Sequence, residues 1–261
     1  MQLSLVWIIP SGYISGILIN YLTDILPVDF KFALPVCRNS ACNRPITWPR
    51  YFLLQSCEKC DHKYSLRHYL VVITSIIILY YLNNNPIPAL GIFGSYILFQ
   101  YLFLVGLIDF EHRLILRPLS LLGLFAGLII GLFSRNWQST LLGGVAGFGI
   151  MLIFYYFGVL FTKFRNKRLG TSTDGEESLG SGDVTLAAIL GLILGWPLIW
   201  FNLFSGILLA GALSLILVAI LLITRKYRSM MVYIAYGPFF ITSAIIMLFF
   251  PRLISSFLPG L

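Results

Sequence analysis

Asp109 and Asp183 are the residues of this 261-residue chain whose type and setting can do chemistry. Each stands at the edge of a long apolar stretch, in Leu107-Ile108-Asp109 and in Gly180-Ser181-Gly182-Asp183-Val184. An acid at a membrane boundary is costly to desolvate and is rare there without a role. Two facing carboxylates cannot easily both ionise, so one keeps its proton near neutral pH and the pair titrates as a unit. The ionised member can take a proton from water as the water attacks a peptide carbonyl, while the protonated member donates to the carbonyl oxygen. Simpler accounts compete. Asp109 can pair with Arg113, four residues on along one helix face, and Asp183 can cap the helix that it opens. Gly180 and Gly182 weigh toward a site, because they permit a close approach by an extended substrate that simple capping does not require.

The elements that must position these acids are membrane spans. Hydrophobic residues make up 58% of the chain and charged residues 11%, with a mean hydropathy of +0.88. A soluble domain carries more charge. Eight stretches are long enough to cross about 30 Å of hydrocarbon: 3–22, 66–82, 89–109, 117–133, 138–162, 184–200, 203–223 and 231–250. The expected fold is an all-α polytopic integral membrane protein of about eight transmembrane helices. Its parts are a first transmembrane helix at 1–22, a cysteine loop at 23–65 and a seven-helix membrane core at 66–261.

Charge placement orients it. Of the 18 Lys and Arg residues, all but Arg135 and Arg252 fall in or beside the loops 23–65, 110–116, 163–183 and 224–230. The positive-inside rule makes that face cytoplasmic and puts both termini outside. The net charge of +8 then reflects topology, with the lipid bilayer and not nucleic acid as the partner. No Lys or Arg precedes Lys31, so the first span is expected to stay in the mature protein. Within it, Gly12 and Gly16 suit close helix packing and Asn20 a hydrogen bond between helices. Trp196, Trp200 and Tyr233 suit interface anchoring, and Glu111 and His112 a solvated helix end. The Gly- and Ser-rich run 163–182 reads as a flexible loop beside Asp183, placed where it can gate substrate.

All four cysteines lie in the first loop, as Cys37-x4-Cys42 and Cys57-x2-Cys60 with 14 residues between the pairs. Two close thiol pairs around a hairpin-sized segment suit a tetrahedral, structural zinc site. Two disulfides or four unrelated thiols are the alternatives, and a reducing cytoplasm argues against the disulfides. His62 or His68 can substitute as a ligand. Such a metal would close a loop too small to have its own core.

Taken in order, these segments resemble the prepilin peptidases, or type IV leader peptidases. Glu177-Ser-Leu-Gly180-Ser-Gly182-Asp183-Val-Thr-Leu186 is similar to that family's E-x-M-G-x-G-D-x-K-L segment, and Gly106-Leu-Ile-Asp109-Phe-Glu111-His to the segment around its first catalytic aspartate. Gly12, Gly16, Asn20 and Leu26-Pro27 fit its first span, Tyr236-Gly237-Pro238-Phe239 its last, and the cysteine loop its zinc-bearing members. The resemblance implies an aspartic endopeptidase in the bacterial inner membrane with Asp109 and Asp183 as catalytic pair. Gly180, Gly182 and Glu177 would bind substrate or shape the site. It also implies a type IV prepilin or pseudopilin precursor as substrate, cut at the cytoplasmic face for a pilus or secretion system. In many members the new N-terminus is then methylated from S-adenosylmethionine. Some positions depart from the pattern. Leu116-Arg117 stands where Pro-Asp is usual, Thr185 where Lys is usual and Ile25 where Arg is usual, and the Glu expected near the start of the second span is missing at Arg67–Val72. The missing Glu and Lys count against methyl transfer. The alternatives are a preflagellin-type peptidase and a transporter relaying protons or cations through the two acids. Transporters place such acids near the bilayer midplane, whereas both acids here fall at expected cytoplasmic ends.

Overall fold

A computed structural model of the chain describes residues 4–29, 33–37, 42, 44–60, 63–169, 180–224 and 235–251. Among them the helices are α1 Leu5–Asp29, α2 Trp48–Phe52, α3 Leu66–Asn84, α4 Gly91–His112, α5 Arg117–Ser134, α6 Trp137–Leu169, α7 Ser181–Leu194, α8 Leu198–Ile223 and α9 Gly237–Phe249. No β-strand occurs among the described residues, and Val36 and Pro45 form an isolated antiparallel bridge. The fold is all-α. Six helices (α1, α3, α4, α5, α6 and α8) are long and apolar enough to cross a membrane.

The other two expected spans are shorter apolar helices. At 14 and 13 residues, α7 and α9 are about 21 and 20 Å long at 1.5 Å per residue, less than the ~30 Å of hydrocarbon. The stretch expected as one span over 184–200 breaks after Leu194. Gly195 takes a φ of +71° there, a conformation that suits glycine at a helix end. Pro197 follows, and α8 starts directly after it. The last helix starts at Gly237 with a proline in its first turn, a position where the missing N–H costs nothing. Residues 231–234, expected in the same span, lie outside the described residues, as do 170–179 of the expected gating loop.

The chain divides into two compact units, Met1–Ile108 and Asp109–Leu261. In the first, α1 packs on α3. A Cβ at Gly12 or Gly16 would stand 2.7 Å from the Cα of Ile76 or Val72, so the two glycines do pack helices together, as expected. Asn20 donates to the His68 carbonyl at 3.0 Å, linking the same two helices. Helix α1 continues to Asp29, past the expected end at 22. Ile17, Tyr21 and Ile25 recur every fourth residue and form one stripe, which Cys37, Ile46 and Tyr51 of the following segment cover. The loop takes its core from the helix before it.

In the second unit α7 is the central element, with Leu186, Ala187, Leu190 and Leu194 fully buried and α5, α6, α8 and α9 against it. Small residues make this possible. A Cβ at Gly143 or Gly147 of α6 would collide with the backbone carbonyl of Gly191 or Ala187 in α7. These helices touch backbone to backbone, so a short helix is held entirely by protein neighbours.

Candidate active site and metal centre

Asp109 lies in the last turn of α4 and opens the second unit, and Asp183 is the third residue of α7. Helices α5 and α6 run out and back between them. The last turn of α4 and the first turns of α7 and α9 therefore gather at one end of that unit. Contacts bear this out: Ile115, just after α4, sits where a Cβ at Gly182 would come 2.8 Å from its own Cβ. A Cβ at Gly237, the first residue of α9, would collide with the Asp109 carboxylate and stand 3.3 Å from Leu186, which follows Asp183 by three residues.

Both acids are buried, Asp109 at 4% and Asp183 at 9% exposure, and the charge of one acts on the other. The Arg113 account does not describe Asp109, and Asp183 is not the cap of its helix, although it stands in the first turn, where an acid is favoured. Among the described residues Asp109 forms no ion pair, and its Oδ2 has no hydrogen-bond partner. Arg113 answers it only through the backbone, donating to the Asp109 carbonyl at 2.8 Å from a left-handed residue with φ +53°. The N-cap of α7 is Gly180, without a side-chain cap. Asp183 is inside the first turn, its N–H donating to the Gly180 carbonyl at 3.1 Å. The two glycines differ as well. Gly182 is required by the approach of Ile115, whereas Gly180 has an ordinary φ of −75° and a Cβ there would find the Asp183 Oδ2 at 3.9 Å. The close neighbour of Gly182 is thus a part of the chain itself. Glu177 lies outside the described residues.

In the first unit, the thiols of Cys37, Cys42, Cys57 and Cys60 all lie within 4.8 Å of one another, and none is joined in a disulfide. Cys37 to Cys60 is 3.5 Å and Cys42 to Cys57 is 3.9 Å. Four metal–sulfur bonds of about 2.3 Å arranged as a tetrahedron put sulfurs ~3.8 Å apart, so the cluster is compatible with zinc. The bridge at Val36–Pro45 makes this possible: Cys37 donates to Arg44 at 2.8 Å and Ile46 to Pro35 at 2.6 Å, folding the chain back between the first two cysteines. The backbone N–H of Lys59 draws the Cys57 thiol down to about 7, favouring the thiolate a metal needs. His68 is not part of the cluster, and His62 lies outside the described residues.

His68 belongs instead to a polar network that the sequence reading missed. Asp24 of α1 receives Arg67 Nη2 at 2.5 Å, His68 Nε2 at 3.2 Å and the Tyr51 hydroxyl at 3.1 Å. His68 is 1% exposed, and its Nδ1 meets Ser65 Oγ at 3.1 Å. Burial, then the Asp24 charge, pushes the neighbouring Tyr64 hydroxyl up to about 12. The network ties the cysteine segment to α1 and α3. The available signal was the pairing of signs at two helix ends, an acid closing one apolar stretch and Arg67-His68 opening the next.

The fold and these sites define a multi-pass, all-α membrane protein with two buried acids at one end of its second unit. Residues 96–215 match the model of the type IV leader peptidase family. A prepilin leader peptidase/N-methyltransferase of Pectobacterium carotovorum is 25% identical over 69% of this chain and 59% of its own length. Those of Klebsiella pneumoniae and Myxococcus xanthus are 25% and 24% identical over 71% and 84% of this chain, and 83% and 63% of their own lengths. The chain thus spans little more than half the length of several curated relatives that it matches. No solved structure matches it. Over residues 96–215 the chain is similar to the type IV leader peptidase family.

Proposed function

We propose that this chain is an inner-membrane endopeptidase that removes the leader peptide from type IV prepilin or pseudopilin precursors, with Asp109 and Asp183 as its catalytic pair. One observation carries the reading. Two acids distant in sequence are both buried at one end of one unit, near enough for their charges to interact. One proton is shared between them. The ionised carboxylate takes a proton from water as the water oxygen bonds to the scissile carbonyl carbon, and the protonated one donates to the carbonyl oxygen. Collapse of the tetrahedral intermediate breaks the C–N bond, and the proton gained from water passes to the leaving amine. The positive-inside rule supports a cut at the cytoplasmic face.

The four-cysteine cluster is proposed to hold a structural zinc, which with four protein ligands has no open position for substrate. The curated relatives named here also carry N-methyltransferase in their names. The present reading is confined to the cut, because Thr185 replaces the expected lysine and the acid expected near the start of α3 is absent. Membranes carrying the protein should shorten a prepilin by its leader, and Asp109→Asn and Asp183→Asn membranes should not. Cleavage by either variant at the unmodified rate would overturn the reading.

A further inference from the structure

The conformation of the Asp109 carboxylate depends on an element that the chemistry itself does not call for. Asp109 is 4% exposed, and its Oδ2 accepts no hydrogen bond among the described residues. That oxygen lies against Gly237, where a Cβ would collide with it and would stand 3.1 Å from its Cγ. The carboxylate therefore occupies the space a side chain at 237 would fill. Gly237 is also the first residue of the 13-residue helix α9, whose N-cap offers no side-chain hydrogen bond. Pro238 has no N–H, and the N–H groups of Phe239 and Phe240 are both given to the Tyr236 carbonyl. The N-terminus of α9 thus lies against a buried carboxylate, and the positive end of a helix in general favours the ionised form of an acid beside it.

We propose that Gly237 is a positioning residue: by lacking a side chain it lets the Asp109 carboxylate seat against the N-terminus of α9, which holds it in the orientation and charge state used for hydrolysis. The proposal rests on the reading of Asp109 as one of the two catalytic acids. It makes α9 a third wall of the site beside α4 and α7. From another helix, Asp183 of α7 is the acid that feels the charge of this carboxylate. Helix α9 carries no charged residue over 237–249, Arg117 opens α5, and Glu111, His112 and Arg113 follow on the segment of Asp109 itself.

The test is Gly237→Ala in the full chain, assayed on a prepilin in detergent or membranes. A carboxylate displaced by about an ångström costs on the order of 100-fold in kcat, with KM changed less than about twofold because no substrate contact is removed. Moved from the helix end, the pair takes up its first negative charge less readily. The acidic limb of the rate profile should then shift to higher pH, by about 0.5–1 unit. Gly206→Ala is the comparison, since a Cβ there would press on the Phe240 ring of α9 and has no Asp109 atom among its nearest neighbours. It should lower the melting temperature and leave the acidic limb in place.

A measurement without activity separates this inference from the proposed function. The melting penalty of Gly237→Ala should vanish in an Asp109→Ala background, where the space is vacated. An unshifted acidic limb in Gly237→Ala, or the same melting penalty in both backgrounds, would overturn the proposal. Cleavage by Asp109→Asn would remove the catalytic reading instead, and the melting comparison would still report on the contact.

Discussion

On the proposed reading, replacing Asp109 or Asp183 by Asn keeps the shape of the side chain and removes its ability to carry a proton to or from the reacting groups. General acid and base steps contribute about 100- to 10,000-fold, so each variant should lose at least about 100-fold in prepilin cleavage while still inserting. Cleavage gels beside a membrane-fraction blot check this. A proton shared as proposed makes a second expectation. The rate should fall at low pH, where both acids are protonated, and at high pH, where both are ionised, so kcat/KM against pH should be bell-shaped. A flat profile would argue against a carboxylate pair. At this scale the sequence showed both acids through their setting, an ionisable group ending an apolar run. It did not show that Arg113 answers Asp109 only by its backbone, or that Gly180 is the N-cap of the helix of Asp183, because single-residue steps at helix ends depend on what packs over them.

The cysteine segment is an element with a core borrowed from α1 and four sulfurs at metal-binding distances. Purified protein should carry about one equivalent of zinc, since four thiolates complete one tetrahedral site. Zinc should be lost as pH falls, because protonated thiols do not bind it; titration with a chromogenic chelator reads both. Replacing Cys57 and Cys60 by Ser should open the segment to protease and lower activity indirectly, with both aspartates intact. The Asp24–Arg67–His68 network anchors the same segment from the other side. Arg67→Leu leaves a mostly buried carboxylate without its strongest partner, an error that costs roughly 3 kcal/mol. The thermal midpoint in detergent should fall accordingly. The cysteine spacing announced its cluster because ligand pairs are local. The network was hidden because Asp24 and Arg67 are brought together by α1 packing on α3, a contact set by Gly12 and Gly16.

For the molecule as a whole, the placement of Lys and Arg predicts which loops face the cytoplasm. Cysteines introduced at Asn84 and Asn136 should be labelled from outside by an impermeant reagent. Those at Lys59 and Thr173 should react only after permeabilisation, and the reverse pattern would move the cut to the other face. The departures at Thr185 and in Arg67–Val72 predict a processed pilin with an unmodified N-terminus, with or without S-adenosylmethionine. Mass spectrometry of the product tests this, and stoichiometric methylation would show that neither departure matters.

Composition and periodicity by themselves determined that this is an all-α membrane protein. An apolar run long enough to span a bilayer has few other fates, and a backbone in lipid must satisfy its hydrogen bonds within a helix. They also showed all eight apolar stretches, the four-cysteine group and the two acids. Tertiary structure alone decided the lengths of α7 and α9, since a break at Gly195 and Pro197 and a start at Gly237 are invisible to a hydropathy window. It alone seated the Asp109 carboxylate on Gly237 and paired Asp24 with Arg67. These contacts join residues far apart in the chain, and they exist because glycines let helices approach until backbone meets side chain.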